Sequence, residues 1–494
     1  MIRYSLLTLA VVFVMGYAWR DWYRSLCAVI LFMAIEGRPD MPRSMLGISG
    51  LNPLNLMLVN VVLAWAVSRR REGLRFDMPL HIRLLLLCYL AVVLVAAVRC
   101  LADPVNLVGI TQGQMLNDYV INTLKWVVPG LLLFDGCNSR RRFTEGLFAT
   151  LGVYVLLALQ CARLILPNLD VAELERRSRK LLEQRTGYHR VEVSTMLAGA
   201  SWAVFAARAL VRSRLLRFAV LGASVMVVYA QALTAGRAGY ASWAFVGLVL
   251  CSLRWRSYLV LAPLLAAGVV FVMPAVKSRA LKGISTDGVV LGEDAVDSDQ
   301  LTAGRDRVWP LVIEKIGERP WLGFGRQAMR RTGIAEATRE QGDPFNHPHN
   351  AYLELLLDTG FVGFLPVLVF YLVVLFHAVR LFRDSRSPVY IAAGGAAMAL
   401  VLAWLGGSMG AQTLYPREGA LGMWCAMMLA LRASVQRRGA PAHVDQAAGR
   451  PPRLQAANVW GAVPEPNMAG RADLWQHPRG GSPNGIPELP DPRA

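Results

Sequence analysis

The sequence predicts an all-α polytopic membrane protein. Apolar residues make up 55% of its 494 residues and charged residues only 17%, whereas a soluble protein carries about 25% charged residues. Apolar stretches close to the ~20 residues that a helix needs to cross a bilayer recur along the chain. We expect the spans to be helical, because helices satisfy their own backbone hydrogen bonds in lipid.

About thirteen apolar stretches match the length of a membrane span, so we expect 12 or 13 transmembrane helices. Their centres are Val12, Ile30, Val61, Leu90, Val128, Val155, Ala203, Val225, Val246, Leu264, Val367, Ala399 and Met427. The first stretch lacks a small-residue cleavage site and is interpreted as a retained helix. We assign 1–433 to the membrane domain, with a long loop carrying short helices at 277–350. Residues 434–494, rich in Pro, Gly and Ala without apolar periodicity, are predicted to form a disordered cytoplasmic tail.

Basic residues predict the orientation of the chain. They concentrate in short segments that fall on one side when the spans alternate: Arg69–Arg75, Arg140–Arg142, Arg212–Arg217, Arg254–Arg256 and Arg380–Arg386. The positive-inside rule makes this side cytoplasmic, so the loop 277–350 is expected outside. The net charge of +18 is therefore interpreted as an orientation signal, with no nucleic-acid partner. The basic segment 168–192 falls outside, which indicates either a miscounted span or an anionic ligand there.

The cysteines and histidines do not predict a metal site. None of the seven cysteines forms a CxxC pair, and most lie in apolar stretches, as core residues do. His347 and His349 are separated by one proline and have no third ligand nearby in sequence, which is not the pattern of a zinc site. We expect neither a metal nor another cofactor.

Arg237 is the first candidate binding residue. It follows Thr234, Ala235 and Gly236 in a predicted tight turn between two spans. A guanidinium at the outer boundary of the membrane matches the phosphate of a lipid-linked substrate. The alternative is an arginine that extends to ordinary lipid head groups.

A second candidate is Arg305, at the start of a loop helix whose helical character is predicted over Trp309–Ile316. The segment Pro320–Gly325 follows and is predicted to reverse the chain at its two glycines. Arg305 could face the mouth of the membrane domain from this helix. The alternative is a solvated helix whose Asp306 pairs with an arginine, which stabilises a surface little.

The third candidate segment runs from His349 to Glu354, where a polar loop re-enters an apolar helix. His349 could act as a general base toward a hydroxyl group. Asn350, Glu354 and Asp358 share one helix face, which is expected to point inward because charge facing lipid is disfavoured. The alternative for Asn350 is a helix N-cap. A fourth segment, Gln412–Glu418 with Arg417, is interpreted as structural, with the alternative that it closes one side of a cavity.

These stretches, in this order and with nine residues between Asn350 and Gly360, resemble the O-antigen ligase and O-antigen or exopolysaccharide polymerase family from about Val220 to Leu375. The resemblance implies a GT-C-like fold in the bacterial inner membrane. It implies a metal-independent glycosyltransferase that moves a glycan from undecaprenyl diphosphate to a hydroxyl acceptor on the periplasmic face. Arg237 and Arg305 would then hold the diphosphate, with Arg190 as a further ligand. His349 would activate the acceptor, with Asn350 and Glu354 beside it.

Several functions remain open at this point. A polymerase would join glycan repeat units, whereas a ligase of lipopolysaccharide biosynthesis would transfer the glycan to lipid A–core or to a protein. Polysaccharide assembly proteins are expected as further partners. A polysaccharide transporter or flippase without covalent chemistry is the alternative class. We favour the enzyme, because no clear repeat is visible and the polar residues gather at the outer face rather than at midplane, where transporter sites lie.

Overall fold

The computed structural model describes residues 2–439, except positions 43, 46–47, 108, 166–170, 261–262, 265–266, 269–304, 341–344 and 411–412. The described residues are helical apart from loops and one short antiparallel pairing of Ser44–Met45 with Ile48–Ser49. The helices are α1 (Ile2–Ala18), α2 (Trp22–Glu36), α3 (Pro53–Arg71), α4 (Leu80–Ala102), α5 (Gln112–Leu116), α6 (Asn122–Leu124), α7 (Val128–Gly136), α8 (Arg140–Leu164), α9 (Val171–Thr186), α10 (Arg190–Ala207), α11 (Arg214–Leu233), α12 (Arg237–Leu253), α13 (Arg305–Glu318), α14 (Ala328–Arg331), α15 (Ile334–Glu340), α16 (Ala351–Arg383), α17 (Pro388–Gly407) and α18 (Leu421–Gly439). A π-turn, Asn117–Ile121, links α5 to α6, and single 3₁₀ turns follow α10 and precede α18.

Within the described residues, six helices are long and apolar enough to cross a membrane: α4, α8, α10 with its 3₁₀ turn, α11, α16 and α17. Two shorter apolar helices are Tyr4–Ala18 and Arg237–Leu253. The prediction of an all-α polytopic membrane protein is therefore confirmed. Twelve of the thirteen predicted span centres lie in helices, while the stretch around Leu264 lies largely outside the described residues. The number of 12 or 13 spans stays a prediction.

Two predicted regions are described only in part. The loop 277–350 is described from Arg305 onward, apart from 341–344. The helix α18 continues to Gly439, past the predicted domain boundary at 433. The rest of the predicted tail lies outside the described residues.

The helices α10 and α17 form the centre of the bundle. In each, 78% of the most apolar stretch is buried in the protein, compared with 28% in α11, which is left to face lipid. Small residues bring the two backbones together, because a Cβ on Gly199 would stand 2.8 Å from the Ala399 carbonyl oxygen. Close approach at small residues is the usual way in which membrane helices pack. The start of α10 consequently lies beside the end of α17.

The helix α16 connects two chemically different ends of the bundle. At its start, the Ala351 amide donates to the Ser408 carbonyl, 2.9 Å away, just after α17. Beyond its last residue, Asp384 accepts from Arg437 at 2.6 Å. The predicted basic segments gather at this second end, where Arg142 pairs with Glu72 at 2.6 Å. The candidate site residues therefore lie at the end opposite to these basic segments, while the orientation in a membrane stays a prediction.

Candidate functional site

Asn350 is the N-cap of α16. Its side-chain oxygen accepts hydrogen bonds from the backbone amides of Tyr352, at 3.0 Å, and Leu353, at 3.3 Å. The structure therefore supports the capping interpretation, since the carboxamide oxygen is already occupied by backbone donors. A direct role for Asn350 in catalysis stays a prediction and would fall to its amide nitrogen.

His349 is fixed between this cap and the loop helix α13. Its backbone has a φ of 51°, in the left-handed region that side-chain-bearing residues seldom occupy. The indole of Trp309 donates to the carbonyl of Pro348 at 2.9 Å and so ties two of the three predicted segments together. The imidazole packs edge-on against His347, with the ring centroids 4.2 Å apart, and against Phe345 at 5.7 Å. These contacts give the His349 ring a defined position.

Gly360 interrupts α16 so that the segment Pro320–Gly325 can cross it. The backbone of Gly360 has φ 62° and ψ −170°, a conformation available essentially to glycine alone. The break lets the Phe324 amide donate to the Leu357 carbonyl at 2.9 Å. A Cβ on Gly360 would overlap the backbone of Trp321. The glycine of the third predicted segment is thus the point where the second segment packs.

The turn before Arg237 is held against α10. Thr234 is fully buried, and its hydroxyl donates to the Gln231 carbonyl at 2.6 Å. The hydroxyl of Ser194, one turn into α10, donates to the Gly236 carbonyl at 3.1 Å. Arg237, the first residue of α12, therefore begins its helix beside the first turn of α10.

Arg305, the first residue of α13, reaches into this group. Its Nη2 and the Cβ of Ala238 each lie 3.4 Å from the point where a Cβ on Gly410 would stand. Its Nε is buried and has no hydrogen-bond partner among the described residues. Burial, and then the charge of Arg237, lower the pKa of Arg305. The charge of Arg237 therefore acts on Arg305, and an anion bound between two such cations would stabilise both.

Arg190 joins the group through its neighbour His189. Arg190 opens α10 and is only 6% exposed. Burial, and then the Arg190 charge, lower the pKa of His189. His189 in turn lies near enough to His347 and His349 to depress the pKa of both. We call Arg190, Arg237 and Arg305 the arginine cluster.

The two histidines of the loop are neutral near pH 7. Burial lowers the pKa of His349 to about 4, and the charges of His347, Arg305 and His189 add to this effect. Burial, followed by Arg417, lowers the pKa of His347 to about 4 as well. A neutral imidazole has one nitrogen that can accept a proton. In the described parts of the chain, no third ligand-type side chain joins these two histidines in a metal-binding group.

A cavity of about 210 Å³ lies beside His347, at the first turns of α16. We call it the carboxylate cavity, and its polar lining consists of Glu354, Asp358, Arg326, Gln327, Arg330, Asn346, His347 and Thr413. Both Asp358 oxygens are occupied, one by the Ala328 amide at 3.1 Å and the other by the Tyr415 hydroxyl at 3.0 Å. The Oε2 atom of Glu354 is buried and has no hydrogen-bond partner among the described residues.

Arg417 connects the segment Gln412–Glu418, for which the sequence favours a structural role, to α10. It forms an ion pair with Glu192 at 2.5 Å, and the next residue, Glu418, accepts from the Tyr188 hydroxyl at 2.8 Å. These contacts support the structural interpretation. The charge of Arg417 nevertheless bears on His347, so the segment also shapes the electrostatics of the site.

The structure thus brings Arg190, Arg237, Arg305 and His349 together, while Glu354 faces the neighbouring cavity and Asn350 caps the helix. Sequence reasoning did not select His189 or Tyr415. His189 is adjacent to a predicted site residue, which is the only signal it gives. Tyr415 becomes relevant only through its hydrogen bond to Asp358, 57 positions away in sequence.

Comparison with known families identifies one match within the chain. The family model described as O-antigen ligase matches residues 222–368. The matched segment contains Arg237, Arg305, His349 and Glu354, but not Arg190. No curated protein matches the chain. The predicted resemblance to O-antigen ligases is therefore confirmed for this segment.

Proposed function

We propose that this protein is a membrane glycosyltransferase that moves a glycan from undecaprenyl diphosphate to a hydroxyl acceptor. One observation carries the proposal: Arg305 reaches the first turn of α12 beside Arg237 and also lies near the neutral His349. The O-antigen ligase match over the same segment supports it. The site would face the periplasm, because the predicted cytoplasmic basic segments lie at the other end of the bundle.

The arginine cluster would hold the diphosphate of the donor. During transfer, the bond between the anomeric carbon and the phosphate oxygen breaks, and its electron pair leaves with the diphosphate. Fixed guanidinium groups at this position stabilise the developing negative charge as the leaving group departs. This is how the protein would act without a metal ion, and the burial of Arg305 strengthens the interaction because little water screens it.

His349 would accept the proton of the acceptor hydroxyl as its oxygen bonds to the anomeric carbon. The imidazole is neutral in the free protein and so can take up that proton. Bound diphosphate would offset the Arg305 charge and raise the basicity of His349, since a nearby anion favours the imidazolium form. The proton then passes from His349 to the diphosphate product or to water, which restores the neutral imidazole.

The nature of the acceptor decides between polymerase and ligase. Deletion of the gene, followed by analysis of lipid-linked intermediates and surface glycan, separates the two. Single repeat units accumulating on the carrier indicate a polymerase, and full-length polymer left on the carrier indicates a ligase. A normal surface glycan with no accumulated carrier-linked glycan would contradict both.

A transporter or flippase is distinguished by the product. Purified full-length protein in lipid vesicles is given extracted carrier-linked glycan and membranes of the deletion strain as acceptor. Formation of a new glycosidic linkage together with the release of free undecaprenyl diphosphate supports the transferase. Movement of the glycan across the vesicle membrane without that release supports transport.

A further inference from the structure

The carboxylate cavity and the arginine cluster differ in the type of hydrogen-bonding group that they leave open to a ligand. The two arginine side chains that line the cavity contact other groups of the protein. Arg326 donates to the Thr123 hydroxyl at 3.2 Å and stacks on the Tyr415 ring, 4.2 Å from the centroid. Arg330 donates to the side-chain oxygen of Asn346 at 3.2 Å. These guanidinium groups therefore have less capacity to bind a further anion.

The group that the cavity leaves open to a ligand is a hydrogen-bond acceptor. Glu354 Oε2 is buried with no hydrogen-bond partner in the described part of the chain. A buried carboxylate oxygen that lacks a donor is costly, and a ligand that supplies a donor removes that cost. Asp358 stands nearby, and both of its oxygens already accept hydrogen bonds from the protein. The cavity therefore suits a ligand with hydroxyl donors.

The size of the cavity limits what it can hold. The cavity has a volume of about 210 Å³, which is room for several water molecules. This is smaller than the ~300–1,000 Å³ of pockets for drug-sized ligands. One sugar ring, with its several hydroxyl groups, matches both this volume and the mixed polar lining.

The cavity adjoins the proposed proton acceptor. His347 lines it, and the His347 ring centroid lies 4.2 Å from that of His349. A hydroxyl at the mouth of the cavity would consequently face His349, while the rest of the ring remained inside. The arginine cluster adjoins His349 through Arg305, whose charge helps to lower the His349 pKa.

We propose that the carboxylate cavity is the subsite for the terminal sugar of the acceptor, whose hydroxyl groups donate to Glu354. The inference rests on the proposed transferase function and adds the place and chemical class of the acceptor. The acceptor sugar presents free hydroxyl groups, because the group that the cavity leaves open among the described residues is the Glu354 Oε2 atom. Glu354 binds the sugar and does not take part in holding the diphosphate.

The test is a pair of binding measurements on purified full-length protein. Saturation-transfer NMR with the methyl glycosides of glucose, galactose and mannose probes the cavity. Binding of undecaprenyl diphosphate probes the arginine cluster and is measured as the increase in the unfolding temperature of the protein. The variants are Glu354→Gln, Thr413→Phe to fill the cavity, and Arg305→Ala. Glu336→Gln, an exposed glutamate on α15, is the matched control.

We expect opposite losses in the two measurements. Glu354→Gln should weaken glycoside binding about 10- to 100-fold, as replacement of a buried acceptor oxygen by an amide group predicts, and leave the lipid affinity within about twofold. Thr413→Phe should abolish the glycoside signal. Arg305→Ala should weaken lipid binding and retain the glycoside signal, and Glu336→Gln should change neither.

Three results would overturn the acceptor subsite. The first is that none of the three glycosides gives a signal with the unaltered protein. The second is an unchanged glycoside signal in Thr413→Phe. The third is a loss of lipid affinity in Glu354→Gln that is as large as in Arg305→Ala. Failure of the transferase proposal looks different. In that case the unaltered protein fails to bind undecaprenyl diphosphate and releases none from carrier-linked glycan, whatever the glycosides do.

Discussion

The arginine cluster adjoins His349 and the carboxylate cavity adjoins His347, and the two regions differ in the hydrogen-bonding group that they leave open. The cluster presents guanidinium groups, one with a buried donor that has no partner among the described residues, at Arg305. The cavity presents a buried carboxylate oxygen that no described donor reaches, at Glu354. One region therefore attracts an anion and the other attracts hydroxyl groups. Two unlike substrates, a diphosphate and an alcohol, require this difference.

The largest effect is expected where the two regions meet. His349→Ala should lower the transfer rate about 10²- to 10⁴-fold, the usual contribution of a general base, while undecaprenyl diphosphate still binds. Transfer is measured in deletion-strain membranes carrying the variant. His81→Gln, an exposed histidine at the start of α4, is the control and should transfer normally. Full activity in His349→Ala would remove the proton acceptor from the mechanism.

Substitution in the arginine cluster should lower the transfer rate nearly as much as His349→Ala does. Arg305→Ala should lower transfer about 10²- to 10³-fold, because one fixed charge opposite the leaving group is lost. It should also weaken undecaprenyl diphosphate binding. Arg307→Ala, an exposed arginine two positions along the same helix, controls for net charge. Equal losses in Arg305→Ala and Arg307→Ala would mean that the cluster acts only through general surface charge.

The pH dependence of transfer should reveal how the cluster acts on His349. With donor limiting, the rate follows the free protein, so it should fall only as pH approaches the His349 pKa of about 4. With saturating donor, the fall should begin at higher pH, because bound diphosphate favours the protonated imidazole and raises its pKa. A midpoint near the ordinary value of 6.5 with limiting donor would contradict the buried, neutral His349.

A change at the helix break tests whether the second and third segments must pack together. Gly360→Ala should destabilise the protein by more than the ~1–3 kcal/mol of backbone strain, because its Cβ also overlaps Trp321. Thermal unfolding and transfer are both measured. Gly333→Ala has a positive φ of 81° but no heavy atom within 4 Å of the new Cβ. Gly333→Ala should therefore show the effect of backbone strain alone. Equal losses of stability in Gly333→Ala and Gly360→Ala would argue against close packing of Trp321 on Gly360.

The smallest effect is expected at the helix cap. Asn350→Ala should lower stability by about 0.5–2 kcal/mol, the cost of a lost N-cap, and reduce transfer modestly through the position of His349. Asn350→Asp retains a capping oxygen and should restore stability. If Asn350→Asp is stable but transfers about 100-fold more slowly, the amide nitrogen itself acts in the reaction, as the sequence resemblance predicts.

The sequence was sufficient to predict much of the architecture but not the partners within the site. Apolar stretches predicted the helices, because length and hydropathy are local properties of a membrane span. The order of the segments predicted that Arg237, Arg305 and His349 belong together. Sequence alone could not distinguish capping from catalysis at Asn350, because that depends on which atoms its carboxamide contacts.

The carboxylates illustrate what pattern reasoning leaves out. Their helical spacing predicted that Glu354 and Asp358 share a face, and both do line one cavity. Their different states depend on groups remote in sequence. Tyr415 and the Ala328 amide occupy Asp358, whereas Glu354 Oε2 has no such donor among the described residues. Such long-range pairings arise only from packing, so the two acids looked equivalent in the sequence.

The helix break at Gly360 also makes the length of the interval from His349 a structural constraint. Ten residues of helix from Asn350 to Gly360 span about 15 Å, and each residue added or removed rotates one end by about 100° relative to the other. With Trp321 packed on the glycine, an insertion before Glu354 would turn the imidazole toward different neighbours, and one after Asp358 would turn both carboxylates as well. Length variation among related proteins should therefore accumulate before His347 and be strongly disfavoured between His349 and Gly360.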